Sequence, residues 1–223
     1  MSAKRPAQTG FTIIELLIAT LVFSMVMILI TVGVLSFTRA YYKGVNQSNT
    51  QNVARTVLEA IAQRIQFSGD KVTSPIGQAP DGSVGFCIGN ERYSYLPGWQ
   101  LTDTAPNQGL SQSKHALVRD SPGLCGGLSA QPVRDGSTVS GTELLSPGMR
   151  ISKLSVEKLA NGEMYRITVR VVYGDDDLLF SQSGNAAGPK AADAACLASI
   201  SGAEYCAESE LSTVVQKRIT QAQ

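Results

Sequence analysis

The stretch Gly10-Phe11-Thr12-Ile13-Ile14-Glu15-Leu16-Leu17 opens the segment that decides the fold. Phe11 to Ile14 is apolar, Glu15 interrupts, and Leu16 to Thr38 then runs without a charge. As a helix, at about 1.5 Å per residue, those 23 positions make a rod of roughly 35 Å, enough for a bilayer core of about 30 Å. Thr20, Ser24, Thr31, Ser36 and Thr38 do not spoil that reading, because their hydroxyls can bond back to the helix. A buried core helix is the competing account, but such helices are seldom apolar on all sides for this length. The run is also too long for the apolar region of a secretory signal, and no small-x-small site closes it. Lys4 and Arg5 precede the segment, so the N-terminus is expected in the cytoplasm and residues 39–223 outside it.

Glu15 is the anomaly. A carboxylate costs roughly 2.5–3.5 kcal/mol at a bilayer centre and less near an end, and an acid in a span marks function by default. Nothing basic within reach in the chain is a partner for it.

The combination resembles the processing signature of type IV pilins and type II secretion pseudopilins. It consists of a basic leader ending in glycine, then phenylalanine, a glutamate at a fixed offset and an apolar helix. The resemblance is close over residues 1–38 and only general beyond. It implies that a prepilin peptidase cuts between Gly10 and Phe11 and N-methylates Phe11. The leader would then be residues 1–10, and Glu15 would be the fifth mature residue, used in subunit assembly. Its carboxylate would neutralise the amine of a neighbouring subunit, so that neither charge is buried alone. Many major pilins carry a helix-breaking proline early in the helix, whereas here Val32-Gly33 occurs and no proline lies between Pro6 and Pro75. The long, cysteine-bearing remainder resembles the larger minor class, of W-type pilins and J-type pseudopilins. The implied partners are the peptidase, other pilin or pseudopilin subunits and an inner-membrane assembly platform. The implied location is the inner membrane, single-pass, with an extracytoplasmic head.

Beyond the apolar run, the expected parts are a transmembrane and assembly helix over 11–38, the outer half of that helix over 39–68, and a β-rich head over 69–223. Residues 39–52 are polar, with Gly44 and several poor helix formers, and read alone as a weak helix or flexible neck. Val53, Val57, Ile61 and Ile65 restore an i, i+4 stripe, widened by Ala54, Leu58 and Ala62. Arg55 and Glu59 pair on the other face, and Gly69 is the expected residue past the helix end. Turn signals punctuate 71–149. Short strands are expected at 84–88, 91–95 and 115–119. Alternation marks Met149–Leu159 and Met164–Tyr173 as strands joined at Asn161-Gly162. A Gly/Ala/Ser-rich loop is expected over 181–203, and a further strand over Ser212–Thr220. The class is α+β, a long helix on an antiparallel sheet.

Four cysteines, Cys87, Cys125, Cys196 and Cys206, lie beyond the apolar run. An even number outside the cytoplasm favours two disulfides. Three pairings exist, and the sequential one is preferred. Its loops of about 39 and 11 residues would contribute roughly 4 and 3 kcal/mol.

Catalytic and ligand chemistry find little support. His115 is the sole histidine and no G-x-S-x-G elbow is present. No cysteine pair has C-x-x-C spacing, so zinc is not expected. Asp175-Asp176-Asp177 reads as an acidic turn, with calcium ligation as its alternative. No phosphate-binding fingerprint occurs, and no cofactor is expected. The net charge is +1, with 17 basic and 17 acidic residues after the apolar run (19 less Lys4 and Arg5; 18 less Glu15), so nucleic acid is not an expected partner. Tyr93, Tyr95 and Trp99 read as core. The functional expectation is a non-enzymatic filament subunit, a minor pilin or pseudopilin acting in assembly priming or at the tip. The alternatives are a competence or secretion pseudopilin, or a singly anchored periplasmic enzyme or receptor with an uncleaved span.

Overall fold

A computed structural model describes residues 10–76, 83–100, 116–121, 134–135, 138–139, 141–159, 163–181, 193–197 and 202–218. The chain divides into two compact units, Met1–Tyr42 and Lys43–Gln223. One helix, α1 (Ile13–Phe67), contributes to both.

In the first unit, the side chains of α1 from Ile13 to Phe37 stand exposed apart from the helix itself, an apolar surface of the kind that lipid or neighbouring helices cover. Four of its hydroxyls are satisfied internally. Thr20 donates to the Leu17 carbonyl at 3.0 Å, and Ser24, Thr31 and Thr38 donate to the carbonyls of Thr20, Met27 and Val34, each at 2.8 Å. They therefore leave no unpaired donor to oppose an apolar environment.

The second unit is built on the stripe read from the sequence. Ala54, Val57, Ile61 and Ile65 are fully buried, while Val53, Leu58 and Ala62 pack on their flanks. The helix ends at Phe67, and Gly69 takes a left-handed φ of 68°, as a residue in that place commonly must.

The strands follow as β1 (Val72–Thr73), β2 (Val84–Ile88), β3 (Glu91–Tyr95), β4 (Val118–Asp120), β5 (Arg134–Asp135), β6 (Thr138–Val139), β7 (Thr142–Glu143), β8 (Met149–Lys158), β9 (Met164–Tyr173), β10 (Leu179–Ser181), β11 (Ala194–Cys196) and β12 (Ala207–Gln216). The expected antiparallel sheet is divided. One sheet has the order β1-β2-β3-β4-β7, another β12-β9-β8, and β5-β6 and β10-β11 are small ribbons. The core gathers the helix stripe against Ile151, Ile167, Val169 and Val171 of the three-stranded sheet and Phe86, Ile88 and Tyr93 of the five-stranded one. Phe86 and Tyr93 stack with ring centroids 4.8 Å apart. Burial in this wall pushes the Tyr93 hydroxyl up to about 12.

Residues 39–52, for which the sequence left a weak helix or a flexible neck open, are helical and part of α1. From position 43 onward the head supplies what local propensity lacks. Asn46 and Gln47 donate side-chain amide hydrogens to the carbonyls of Glu204 and Glu208 at 3.3 and 3.0 Å, and Thr50 is fully buried. The strand expected at 212–220 lies at Ala207–Gln216 instead. Its early residues, Glu208 and Glu210, are held opposite Arg170 of β9 at 3.2 and 4.0 Å, and Glu210 also meets Lys153 of β8 at 3.8 Å. These cross-strand charges fix a register that the sequence Ala-Glu-Ser-Glu does not advertise. The loop expected over 181–203 contains β11, paired to β10 through Leu179↔Cys196 and Ser181↔Ala194.

Candidate processing and assembly site

Gly10, Phe11 and Thr12 are not helical; α1 begins immediately after them. The reason is a reciprocal cap that links Thr12 and Glu15. The Glu15 amide donates to the Thr12 hydroxyl at 3.4 Å, while the Thr12 amide donates to the Glu15 carboxylate at 3.3 Å and the Thr12 hydroxyl does so at 3.1 Å. This is the capping box of a Thr-x-x-Glu sequence, which satisfies amides at the helix start and places a negative charge at the positive end of the helix dipole. The Leu16 amide closes the first helical turn onto the Thr12 carbonyl at 3.2 Å.

Glu15 thus has a partner in its own chain, one residue past Phe11. Thr12 is the residue the sequence reading missed. Its signal, Thr three positions before Glu at the edge of an apolar run, was present in the quoted stretch.

The Gly10–Phe11 junction is open. Phe11 is 83 % exposed, and a Cβ placed on Gly10 would meet nothing within 4 Å. The fold itself therefore does not require glycine at this position.

The remaining candidate residues lie in the head. Cys196 and Cys206 form a disulfide with a Cα–Cα distance of 5.8 Å. It ties β11 to the start of β12, and the Cys196 amide also donates to the Glu208 carboxylate at 3.4 Å. Cys87, in β2, is disulfide-bonded and fully buried. Cys125 and His115 lie outside the described residues, as does the leader before Gly10. Of the acidic turn, Asp175 to Asp177 are exposed, and Asp176 accepts from Arg150 at 2.9 Å. The Arg150 guanidinium is completely buried and also donates to the Gly98 and Gly174 carbonyls, at 3.2 and 2.7 Å. Asp176 therefore has a structural task, holding that turn against β8. Among the described residues no group of three metal-ligating side chains comes together.

The class these features define is an α+β protein with a long apolar N-terminal helix and an antiparallel head. Residues 5–31 match the family described as the prokaryotic N-terminal methylation motif, which supports the type IV pilin and pseudopilin family. No curated protein and no solved structure matches the chain. The motif and the apolar helix point to a single-pass inner-membrane anchor and to a prepilin-like subunit, and the motif implies a prepilin peptidase and other pilins as partners.

Proposed function

We propose that this protein is a minor pilin or pseudopilin, cut between Gly10 and Phe11, N-methylated on Phe11 and built into a filament through Glu15, with a role in priming or at the tip. The observation that carries the reading is the junction itself. A glycine that the fold does not need sits in an exposed, non-helical tripeptide directly before a capped helix whose apolar surface is bare. The methylation motif matched over residues 5–31 spans this junction, and a tight peptidase subsite is the proposed reason for a glycine that the fold leaves optional. Cleavage there frees an α-amine one residue before the Thr12–Glu15 box. In an assembling bundle the Glu15 carboxylate then has two claimants, its own Thr12 and the amine of a neighbour. The charged pair is favoured as water leaves, because an unpaired amine in an apolar interface is costly.

Absence of catalytic machinery belongs to the same proposal. The head acts as a structural body on the periplasmic side, with residues 39–68 as the outer part of the helix and 69–223 as the folded remainder. The second disulfide is assigned to Cys87 and Cys125.

Intact-mass measurement of the membrane form tests this. Loss of residues 1–10 with one added methyl on Phe11 is expected, and an intact leader selects the uncleaved-anchor alternative. Gly10→Val is expected to leave uncleaved precursor in the inner membrane, and normal maturation of that variant would refute the assignment.

A further inference from the structure

Thr12 stands at the boundary between α1 and the junction before it. The first backbone bond of the helix runs from the Leu16 amide to the Thr12 carbonyl at 3.2 Å. A helix longer by one residue would add a bond from the Glu15 amide to the Phe11 carbonyl. One longer by two would add a bond from the Ile14 amide to the Gly10 carbonyl, which belongs to the Gly10–Phe11 bond itself.

The Glu15 amide is already taken. It donates to the Thr12 hydroxyl at 3.4 Å, so a side chain blocks the step that would begin this extension. Nothing else local forbids it. No proline follows Pro6 before Pro75, and Gly10 is a weak helix former rather than a helix stop. An amide deprived of its acceptor in apolar surroundings is costly and takes the next acceptor within reach. For Glu15 that acceptor is the Phe11 carbonyl, four residues back. Loss of the Thr12 hydroxyl therefore winds the junction into the helix.

Hydrolysis at the junction adds water to the Gly10 carbonyl carbon and breaks its bond to the Phe11 nitrogen, leaving a Gly10 carboxylate and a Phe11 amine. The bond must lie open to an enzyme cleft for this, whereas a helical turn wraps it among neighbouring side chains. We propose that Thr12 is a positioning residue for prepilin processing: as N-cap it fixes the helix start just past Phe11 and keeps the Gly10–Phe11 bond in the unwound form that the peptidase takes up. The inference rests on the processing reading above and deepens it. It also divides the labour of the capping box. Any residue at position 15 supplies the same amide, so Thr12 serves cleavage and the Glu15 carboxylate serves assembly.

Cleavage of the full-length precursor, in membranes that hold the cell's prepilin peptidase, tests it with Thr12→Ser, Thr12→Asn and Thr12→Val. Thr12 is exposed, so these changes leave the head intact. Serine and asparagine cap at least as well as threonine, whereas valine keeps its shape and does not cap. Thr12→Ser and Thr12→Asn are expected to be cut at the wild-type rate. Thr12→Val is expected to fall about fivefold in kcat/KM, with the loss in KM, because only the unwound fraction binds. Cα chemical shifts at positions 11 and 12 of the detergent-solubilised precursor are expected to turn helical in Thr12→Val alone. Wild-type cleavage of Thr12→Val overturns the inference, and so does an unchanged helix start in that variant. Slow cleavage of Thr12→Asn with an unchanged helix start also overturns it, since the enzyme would then read the hydroxyl directly. An uncut wild-type precursor overturns the processing reading, and this inference falls with it.

Discussion

Replacing Glu15 by alanine separates the two uses of its carboxylate. Within the subunit it accepts from the Thr12 amide and hydroxyl at 3.3 and 3.1 Å. Losing such a cap costs about 1 kcal/mol, confined to the first turn. Insertion is expected to be unimpaired, because removing a charge from an apolar segment lowers the cost of entering lipid. Cleavage is expected to proceed as well, since the junction lies before the helix. Incorporation is where the loss falls. A neighbour's amine left buried without its partner costs about 3–5 kcal/mol, and at 1.4 kcal/mol per decade that is a drop of at least about 100-fold. The assay is the ratio of matured variant co-purifying with partner prepilins to matured variant in the membrane, in competition with wild type. Glu15→Gln, keeping an acceptor but no charge, is expected between the two. Thr12→Val is the decisive control, because it weakens the same cap and keeps the acid, and it is expected to assemble nearly as wild type does. If Glu15→Ala assembles within threefold of wild type, the ion-pair reasoning is wrong. If Thr12→Val fails equally, the effect belongs to the helix cap.

Three further outcomes concern the head. Cys196→Ser with Cys206→Ser, opening a loop ten residues in separation, is expected to cost about 3 kcal/mol and lower Tm by about 6–12 °C, with faster amide exchange at residues 46–50 as their anchor on 204–208 loosens. Arg150→Met is expected to cost about 2 kcal/mol, because the Gly98 carbonyl loses its donor whereas Gly174 keeps Gln100 at 2.7 Å and Asp176, 44 % exposed, turns to water; an unchanged Tm on thermal melting would show the buried guanidinium to be dispensable. Burial raises the Glu143 carboxyl, against the opposing pull of amides from Leu117, Leu145 and Ala116. The folded state then keeps a proton that the unfolded chain releases near pH 4.3, so stability falls as pH rises from there through the folded value. Urea titrations between pH 4 and 7 should show that fall in wild type and a shallower one in Glu143→Gln.

The legible parts were those where one residue type serves one purpose. Val57, Ile61 and Ile65 of the helix stripe and Tyr165, Ile167, Val169 and Val171 of the alternating strand face the core as written, with Ala54 rather than Val53 buried at the stripe's start. Strands at 84–88 and 91–95 were bounded by turn residues and stand there. The illegible parts depend on partners distant in the chain. Asn46 lowers the local helix propensity, and the bonds that Asn46 and Gln47 make to the Glu204 and Glu208 carbonyls cannot be read from their neighbours in sequence. Glu208 and Glu210 look like loop or helix residues until Arg170 lies between them. At the candidate site, Gly10, Phe11 and Glu15 stood out by type and spacing, whereas Thr12 was read as one more residue of the run. Its role required knowing where the helix starts.

The attachment of α1 to β12 has a mechanical meaning. Asn46 and Gln47 hold the start of the strand region at Glu204 and Glu208, and Gln66, twenty residues on, receives the Arg218 amide at 3.0 Å beyond the strand's far end. Between those points the stripe Ala54, Val57, Ile61 and Ile65 lies buried along the sheet. Tension applied to the helix along its axis must therefore slide this interface in shear, loading both sets of bonds and the apolar contacts together, rather than peel it open one contact at a time. Rupture under such load is governed by the unfolding rate rather than by equilibrium stability, and a shear geometry is the one that keeps that rate low when a subunit is pulled by its stem.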